Sequence, residues 1–292
     1  MELNEGRITA NGIDFAYLET GASDGPLALC LHGFPDTAWT WRHLLPRLAD
    51  AGYRAVAPFL RGYAPTALAP DDCYHGAALV ADACALHEAL GGDGDAVLVG
   101  HDWGALTAYG AAAHHPHRWR RVVTAAVPPL AAAAELVFTY PQLKRSFYIW
   151  LFQLPMAEGV VAADDLAFLD GLWADWTTDY DCTEDLARVK EALRKPEHLR
   201  AAIGYYRAQF GEGDAGPDLA AEQAALFSPP PQPTLYLHGR ADAAFGIELV
   251  RKATDYLPAP GSEMVVVEGA NHFLHLERPD EVGERVIRFL TS

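Results

Sequence analysis

Between Leu27 and Val127, short uninterrupted apolar runs alternate with longer helix-like segments, and few architectures accept that pattern. A strand that is apolar at every position, not at every second one, is buried on both faces. Such strands joined by helices make a parallel sheet covered on both sides. The runs are Leu27–Leu31, Tyr53–Ala57, Ala96–Val99 and Val122–Val127. Helical patterns lie at Trp39–Ala49, at Ala77–Leu90 and from the third run to His114. Gly52 and Gly91-Gly92 stand just past helix ends, where glycine closes a last turn. Ahead of the alternation, Arg7–Ala10 and Ile13–Leu18 flank Asn11-Gly12, a strong hairpin signal.

The pattern breaks at Pro128-Pro129. A stretch rich in alanine, aromatics and acidic residues follows, reading as helices until Phe227. After the proline-rich Ser228–Pro233 the alternation resumes: strand Thr234–Leu237, helix Gly246–Tyr256, strand Met264–Val267, helix Asp280–Leu290. The economical reading is an α/β fold whose core comprises residues 1–128 and 230–292, with a helical cap inserted at 129–229.

With 50% hydrophobic and 21% charged residues, the 292-residue chain has ample material for a core, which excludes disorder, collagen and coiled coil. A net charge of −17 repels phosphate backbones, so nucleic acid is not an expected partner. The cysteines Cys30, Cys73, Cys84 and Cys182 form neither a C-x-x-C pair nor a zinc-like spacing. They read as reduced, mostly buried thiols of a cytoplasmic protein. Met1–Ala10 has no apolar core of a signal peptide, and no run of about 18 apolar residues predicts a membrane span.

The chemistry centres on Gly100-His101-Asp102-Trp103-Gly104, where a strand turns directly into a helix. Small residues two before and two after a central one permit a tight turn that lifts its side chain into the open, the logic of the G-x-S-x-G nucleophile elbow. Here the central residue is aspartate; the plainer alternative is a glycine loop with a helix-capping aspartate. In that logic an acid and then a histidine follow along the chain. Asp242 comes 140 residues later, after the strand Thr234–Leu237, and His272 a further 30 on, after Met264–Val267. Each lies just beyond a strand's carboxyl end, where open α/β sheets place their sites. Separately they read as a loop or N-cap residue and a surface histidine. His32-Gly33-Phe34-Pro35 follows Leu27–Leu31; a loop there supplies one oxyanion-hole N–H, and the residue after the nucleophile supplies the other. These are the amides of Phe34 and Trp103, each such donor being worth about 3–4 kcal/mol of transition-state stabilisation.

With HGFP, GHDWG, a late aspartate and a late histidine in this order, nearly the whole chain resembles the α/β-hydrolase superfamily, in its aspartate-nucleophile branch of epoxide hydrolases and haloalkane dehalogenases. The aspartate argues against a serine esterase, lipase or perhydrolase. The resemblance implies a mostly parallel sheet flanked by helices, with a helical cap. It implies attack of Asp102 on an sp³ carbon, then hydrolysis of the alkyl ester by water that His272 activates and Asp242 supports.

The two branches differ in the leaving group. A halide leaves as a stable anion, whereas an epoxide oxygen leaves as a basic alkoxide and needs a proton. A tyrosine hydroxyl of pKa about 10 can give one. Epoxide hydrolases carry two cap tyrosines. Phe147–Pro155 resembles the first segment, with Tyr148. Gly204-Tyr205-Tyr206-Arg207 resembles the second, with Tyr206 the better match and Tyr205 its rival. Fluoroacetate-type dehalogenases resemble the chain too, with histidine and tryptophan where Tyr148 and Ile149 stand. The plainer reading of the tyrosines is core packing.

Trp103, Tyr205, Phe152 and Phe273 are the candidate substrate-binding side chains. His275 is a rival base to His272, and His114, His115 and His117 read as a solvated helix end, not a metal site. The expected activity is hydrolysis of a small, neutral, hydrophobic epoxide to a diol, with no cofactor and no metal. The alternatives are a haloalkane or fluoroacetate-type dehalogenase with the same triad, and a non-catalytic ligand-binding protein. Oligomeric state stays open, a homodimer being compatible.

Overall fold

In a computed structural model of the chain, which describes residues 2–134, 136–211 and 215–292, the apolar runs form one eight-stranded sheet. Met1, Glu135 and residues 212–214, read above as parts of the N-terminal segment and the helical insertion, lie outside the described residues. The strands are β1 (Asn4–Ala10), β2 (Ile13–Thr20), β3 (Leu27–Leu31), β4 (Arg54–Pro58), β5 (Val97–His101), β6 (Arg121–Ala125), β7 (Thr234–Gly239) and β8 (Glu263–Val267), in the spatial order β1-β2-β4-β3-β5-β6-β7-β8. β1 and β2 pair antiparallel through Asn11-Gly12, at φ 46° and 73°, the left-handed pair that a two-residue hairpin turn demands. β2 also runs antiparallel to β4, and every later pairing is parallel.

Both faces of the sheet are covered, which is why its central strands read as unbroken apolar runs. On one face Leu29, Val56, Leu98 and Val122 pack against helices Gly76–Ala89 and Trp103–His114. On the other, Ala28, Cys30, Ala55, Val99 and Val123 pack against helices Leu44–Asp50 and Pro279–Thr291. The chain winds from β3 outward to β4, then crosses back to β5 on the other flank of β3. The loops leaving β3 and β5 therefore diverge at this reversal, the place where open α/β sheets leave a crevice.

Seven α-helical segments lie between β6 and β7 among the described residues, with a 3₁₀ turn at Pro217–Leu219: Leu130–Ala133, Tyr140–Arg145, Phe147–Phe152, Ala157–Trp176, Thr183–Leu193, Pro196–Phe210 and Ala220–Ala225. Ala157–Trp176 is two helices joined by a bend at Ala163–Leu166, where Asp164, Asp165 and Leu166 take φ of 48°, 55° and 62°. The last helix, Ala220–Ala225, packs on the core helices Gly76–Ala89 and Trp103–His114.

Three sequence expectations change. Trp39–Ala49 divides into a 3₁₀ turn, Ala38–Trp41, and a helix, Leu44–Asp50, with Pro46 in the first turn where a missing N–H is tolerated. Ile247–Tyr256 is a 3₁₀ segment, not an α-helix. All four cysteines are free, but only Cys30 and Cys84 are buried. No helix among the described residues is long and apolar enough to cross a membrane.

Candidate active site

Asp102 sits at φ 53° and ψ −117°, a strained conformation for a residue with a side chain, between β5 and helix Trp103–His114. The flanking glycines are required by contact. A Cβ on Gly100 would strike the Gly104 carbonyl oxygen, and a Cβ on Gly104 would strike that of Leu31. Gly33 is equally constrained, because a Cβ there would enter the Asp102 carboxylate. The Phe34 N–H donates to Asp102 Oδ1 at 2.8 Å, and the Trp103 N–H is aimed at the same carboxylate. Burial pushes the Asp102 carboxyl up, an effect that the His272 charge and these two amides only partly offset.

His272 Nε2 lies 3.7 Å from Asp102 Oδ2, facing it without a direct hydrogen bond. On its other side His272 Nδ1 meets Asp242 Oδ2 at 3.1 Å and Oδ1 at 3.3 Å. Asp242 Oδ1 also accepts the N–H groups of Ala244 (2.9 Å) and Phe245 (2.8 Å), which fix the carboxylate. Burial opposes charge on both partners. For His272, the charge and hydrogen bond of Asp242, with the charge of Asp102, outweigh it and raise the imidazole above its ordinary range. For Asp242, burial is outweighed by His272 and the carboxyl is lowered.

Tyr148 and Tyr206 come from two helices of the insertion, and both are buried. Their rings meet edge-on at 5.6 Å, and both pack against Phe34, at 6.5 and 5.3 Å. Tyr206 is also edge-on to Trp103 at 5.1 Å. Its hydroxyl faces the Tyr148 hydroxyl and the Trp103 indole, yet makes no hydrogen bond of ordinary geometry. Burial first, then neighbouring negative groups including Asp102, hold both phenols well above 10 and therefore protonated.

The chain as a whole has counterparts among known proteins. Residues 26–279 match the alpha/beta hydrolase fold family. Epoxide hydrolase A of Mycobacterium tuberculosis is 28% identical, covering 98% of this chain and 96% of its own length. Epoxide hydrolase 3 of Xenopus tropicalis is 32% identical, covering 97% of this chain and 76% of its own. The crystal structure of Epoxide Hydrolase A from Mycobacterium thermoresistibile superposes with a TM-score of 0.82 at 27% identity, over 100% of this chain and 99% of that one. The chain belongs to the α/β-hydrolase family.

Within this α/β-hydrolase the remaining candidates take distinct places. The Tyr205 hydroxyl donates to the Arg61 carbonyl at 2.7 Å, so that group is committed to the core, although its ring meets Trp103 edge-on at 5.5 Å. Phe152 lies among the Phe34, Tyr148 and Tyr206 rings. Phe273 has another place from the one expected: it is stacked on Trp173 at 3.8 Å and makes no ring contact with Tyr148, Tyr206 or Phe34. It packs the loop that carries His272. His275 stacks on Trp41 and shares a 2.5 Å hydrogen bond with Thr40 Oγ1, and burial takes its imidazole down to about 3. It faces neither Asp102 nor Asp242. His114, His115 and His117 sit together at a partly exposed helix end, His114 beside Glu222.

Asp36, His101 and Asn271 were given no role in the sequence reading, and the structure gives His275, Trp173 and Trp176 definite partners. Asp36, His101 and His275 form a buried group behind His272, with metal-ligand-type atoms within 4.8 Å of one another among the described residues. Burial raises Asp36 to about 8 and lowers both imidazoles, so the group is close to neutral. Trp176 lies edge-on to both His272 and Tyr148 at 5.0 Å. Trp173 donates its indole N–H to the Pro35 carbonyl at 2.9 Å, pinning the loop after β3. Asn271 joins several loops; standing next to His272 was the one signal that could have singled it out.

Proposed function

We propose that this enzyme, an epoxide hydrolase, opens its substrate through an ester on Asp102. One observation carries the reading: two protonated, buried phenols pack on Phe34, whose amide holds the Asp102 carboxylate that a histidine faces. Oδ1 of Asp102 is held by Phe34, so Oδ2 attacks the epoxide carbon. The C–O bond breaks, and the departing oxygen takes a proton from Tyr148 or Tyr206. The product of this step is a hydroxyalkyl ester with Oδ1 as its carbonyl oxygen. His272 Nε2 then removes a proton from water, which attacks the Asp102 carboxyl carbon, and the Phe34 and Trp103 amides hold the oxyanion. Collapse frees the vicinal diol and the carboxylate, and the proton on His272 returns to the tyrosinate. Asp242 stabilises the imidazolium between these events.

Phe34, Phe152, Trp103 and Tyr206 supply aromatic faces suited to a neutral, apolar epoxide. We assign the helical insertion, residues 129–229, as the cap over a core of residues 1–128 and 230–292. Four unpaired cysteines support a reducing, cytoplasmic setting. The test is a pair of turnover assays on the purified protein. One follows diol from styrene oxide; the other follows halide from a haloalkane and from fluoroacetate. Diol without halide is expected. Halide without diol would make the tyrosines packing residues and the protein a dehalogenase.

A further inference from the structure

We propose that Asn271 and Glu277 are positioning residues that hold His272 in register with Asp242 and fasten both to the helical insertion; this rests on the roles assigned above to Asp102 and His272. Asn271 is buried, and its side-chain amide reaches three segments at once. Oδ1 accepts the Ala243 N–H at 2.8 Å and the His272 N–H at 2.9 Å. Ala243 directly follows Asp242, so one oxygen bridges the loop of the acid and the loop of the base. Nδ2 donates to the Asp175 carbonyl at 3.1 Å, in the helix that ends at Trp176. The Trp176 carbonyl in turn accepts the His272 N–H at 3.1 Å.

Glu277 closes the clamp. Its Oε1 accepts the Asn271 N–H at 3.0 Å, and its Oε2 accepts the Thr178 N–H at 2.9 Å, again on the insertion. Both donors need an acceptor, and a carboxylate supplies one oxygen to each. A glutamine has only one oxygen, so Glu277→Gln sets an NH₂ against a backbone N–H while keeping the shape. Asn271→Ala removes the bridge between the two loops outright. Neither side chain is hydrogen-bonded to Asp102 or to the His272 ring, and the charge of Glu277 favours the imidazolium, so each acts through His272. His272 takes part only after the ester has formed. A loosened clamp therefore slows ester hydrolysis and leaves alkylation of Asp102 as it was.

The experiment mixes styrene oxide with wild type, Asn271→Ala, Glu277→Gln and, as reference, His272→Gln. It follows alkylated protein by intact mass and diol by chromatography over the first turnovers. Misplacing a catalytic group by about 1 Å costs on the order of 10²-fold. The expected result is hydrolysis slowed by about 10-fold or more in both clamp variants, alkylation unchanged, and ester accumulating toward the level of His272→Gln. Proton NMR of the free proteins adds a readout that needs no substrate. The downfield Nδ1 proton shared by His272 and Asp242 should move upfield and broaden in Asn271→Ala. Equal slowing of both half-reactions, or an unmoved Nδ1 proton, would overturn the proposal and leave the two residues merely structural. Absence of any ester in His272→Gln would instead overturn the reading of the site, with the NMR result still deciding the clamp.

Discussion

At the scale of single residues, one backbone hydrogen bond distinguishes the two oxygens of Asp102. The Phe34 N–H holds Oδ1, and Oδ2 faces His272. Asp102→Ala should therefore yield no alkylated protein by intact mass, and an adduct in that variant would remove Asp102 from the role of nucleophile. The tyrosines allow a graded test. General-acid assistance is worth about 10²–10⁴-fold, and under the proposed mechanism two phenols share it, so Tyr148→Phe and Tyr206→Phe should each slow alkylation by less than the double variant does. Tyr205→Phe should leave alkylation nearly unchanged, because its hydroxyl serves the Arg61 carbonyl. The pH dependence follows from His272. It acts as a base only when neutral, and Asp242 and Asp102 raise its imidazole above 6.5 despite burial. Ester hydrolysis should thus slow on the acid side as His272 is protonated, with Asp242 still favouring the imidazolium after esterification has removed the Asp102 charge; single-turnover rates flat from about pH 8 to about pH 5 would contradict it.

At the scale of elements, the sheet was legible because burial on both faces forbids polar positions, and β3 and β5 are buried throughout. That Asp102, Asp242 and His272 come together was legible for a related reason: each follows a strand's carboxyl end, and the structure places the three side by side. Which of Tyr205 and Tyr206 turns toward Trp103 was not. Tyr205 and Tyr206 are neighbours on helix Pro196–Phe210, about 100° apart around its axis. His198, Ala201 and Tyr205 form one stripe, and it lies on the Arg61-Gly62 backbone through the His198 and Tyr205 hydrogen bonds. That turns Tyr206 toward Trp103. Sequence gives the stripe, but its docking partner comes from tertiary packing. The bend at Ala163–Leu166 also escaped, although Asp164-Asp165 was a signal for it, aspartate being among the residues that tolerate a left-handed φ. Packing between elements also yields a prediction. Trp173 stacks on Phe273 and donates to the Pro35 carbonyl, so helix Ala157–Trp176 touches the loops carrying Phe34 and His272 together. Trp173→Phe keeps the stack and deletes the hydrogen bond, which should cost about 1 kcal/mol of stability. It should also lower turnover if the Phe34 amide drifts; an unchanged melting temperature with unchanged turnover would deny that helix its hold on the loop.

At the scale of the whole molecule, the polar groups packed behind His272 give stability a dependence on pH from both sides. Asp36 is raised to about 8 and Glu277 to about 7, burial being the main cause for each. The folded chain therefore keeps protons that the unfolded chain releases near pH 4, and stability falls as pH rises toward 8. His32 and His275 are lowered to about 4 and about 3, again chiefly by burial. The unfolded chain binds protons at these sites from about pH 6.5 downward while the folded chain does not, so they draw stability down on the acid side. His272 has the opposite sense. Its raised imidazole stabilises the fold most fully below 6.5, and that contribution is lost as pH climbs through the folded value. The net charge of −17 adds self-repulsion on the alkaline side. The melting temperature at constant ionic strength should consequently pass through a maximum between the two limbs, and each limb should answer to its own residue. Asp36→Asn retains an acceptor for the Thr37 N–H and cannot ionise, so it should flatten the alkaline limb and stabilise the protein at pH 8. His275→Gln should flatten the acid limb. Scanning calorimetry from pH 5 to 9 on the three proteins decides the matter: an Asp36→Asn curve parallel to wild type above pH 7 would mean that this carboxyl is already ionised in the fold, and that self-repulsion alone sets the alkaline loss.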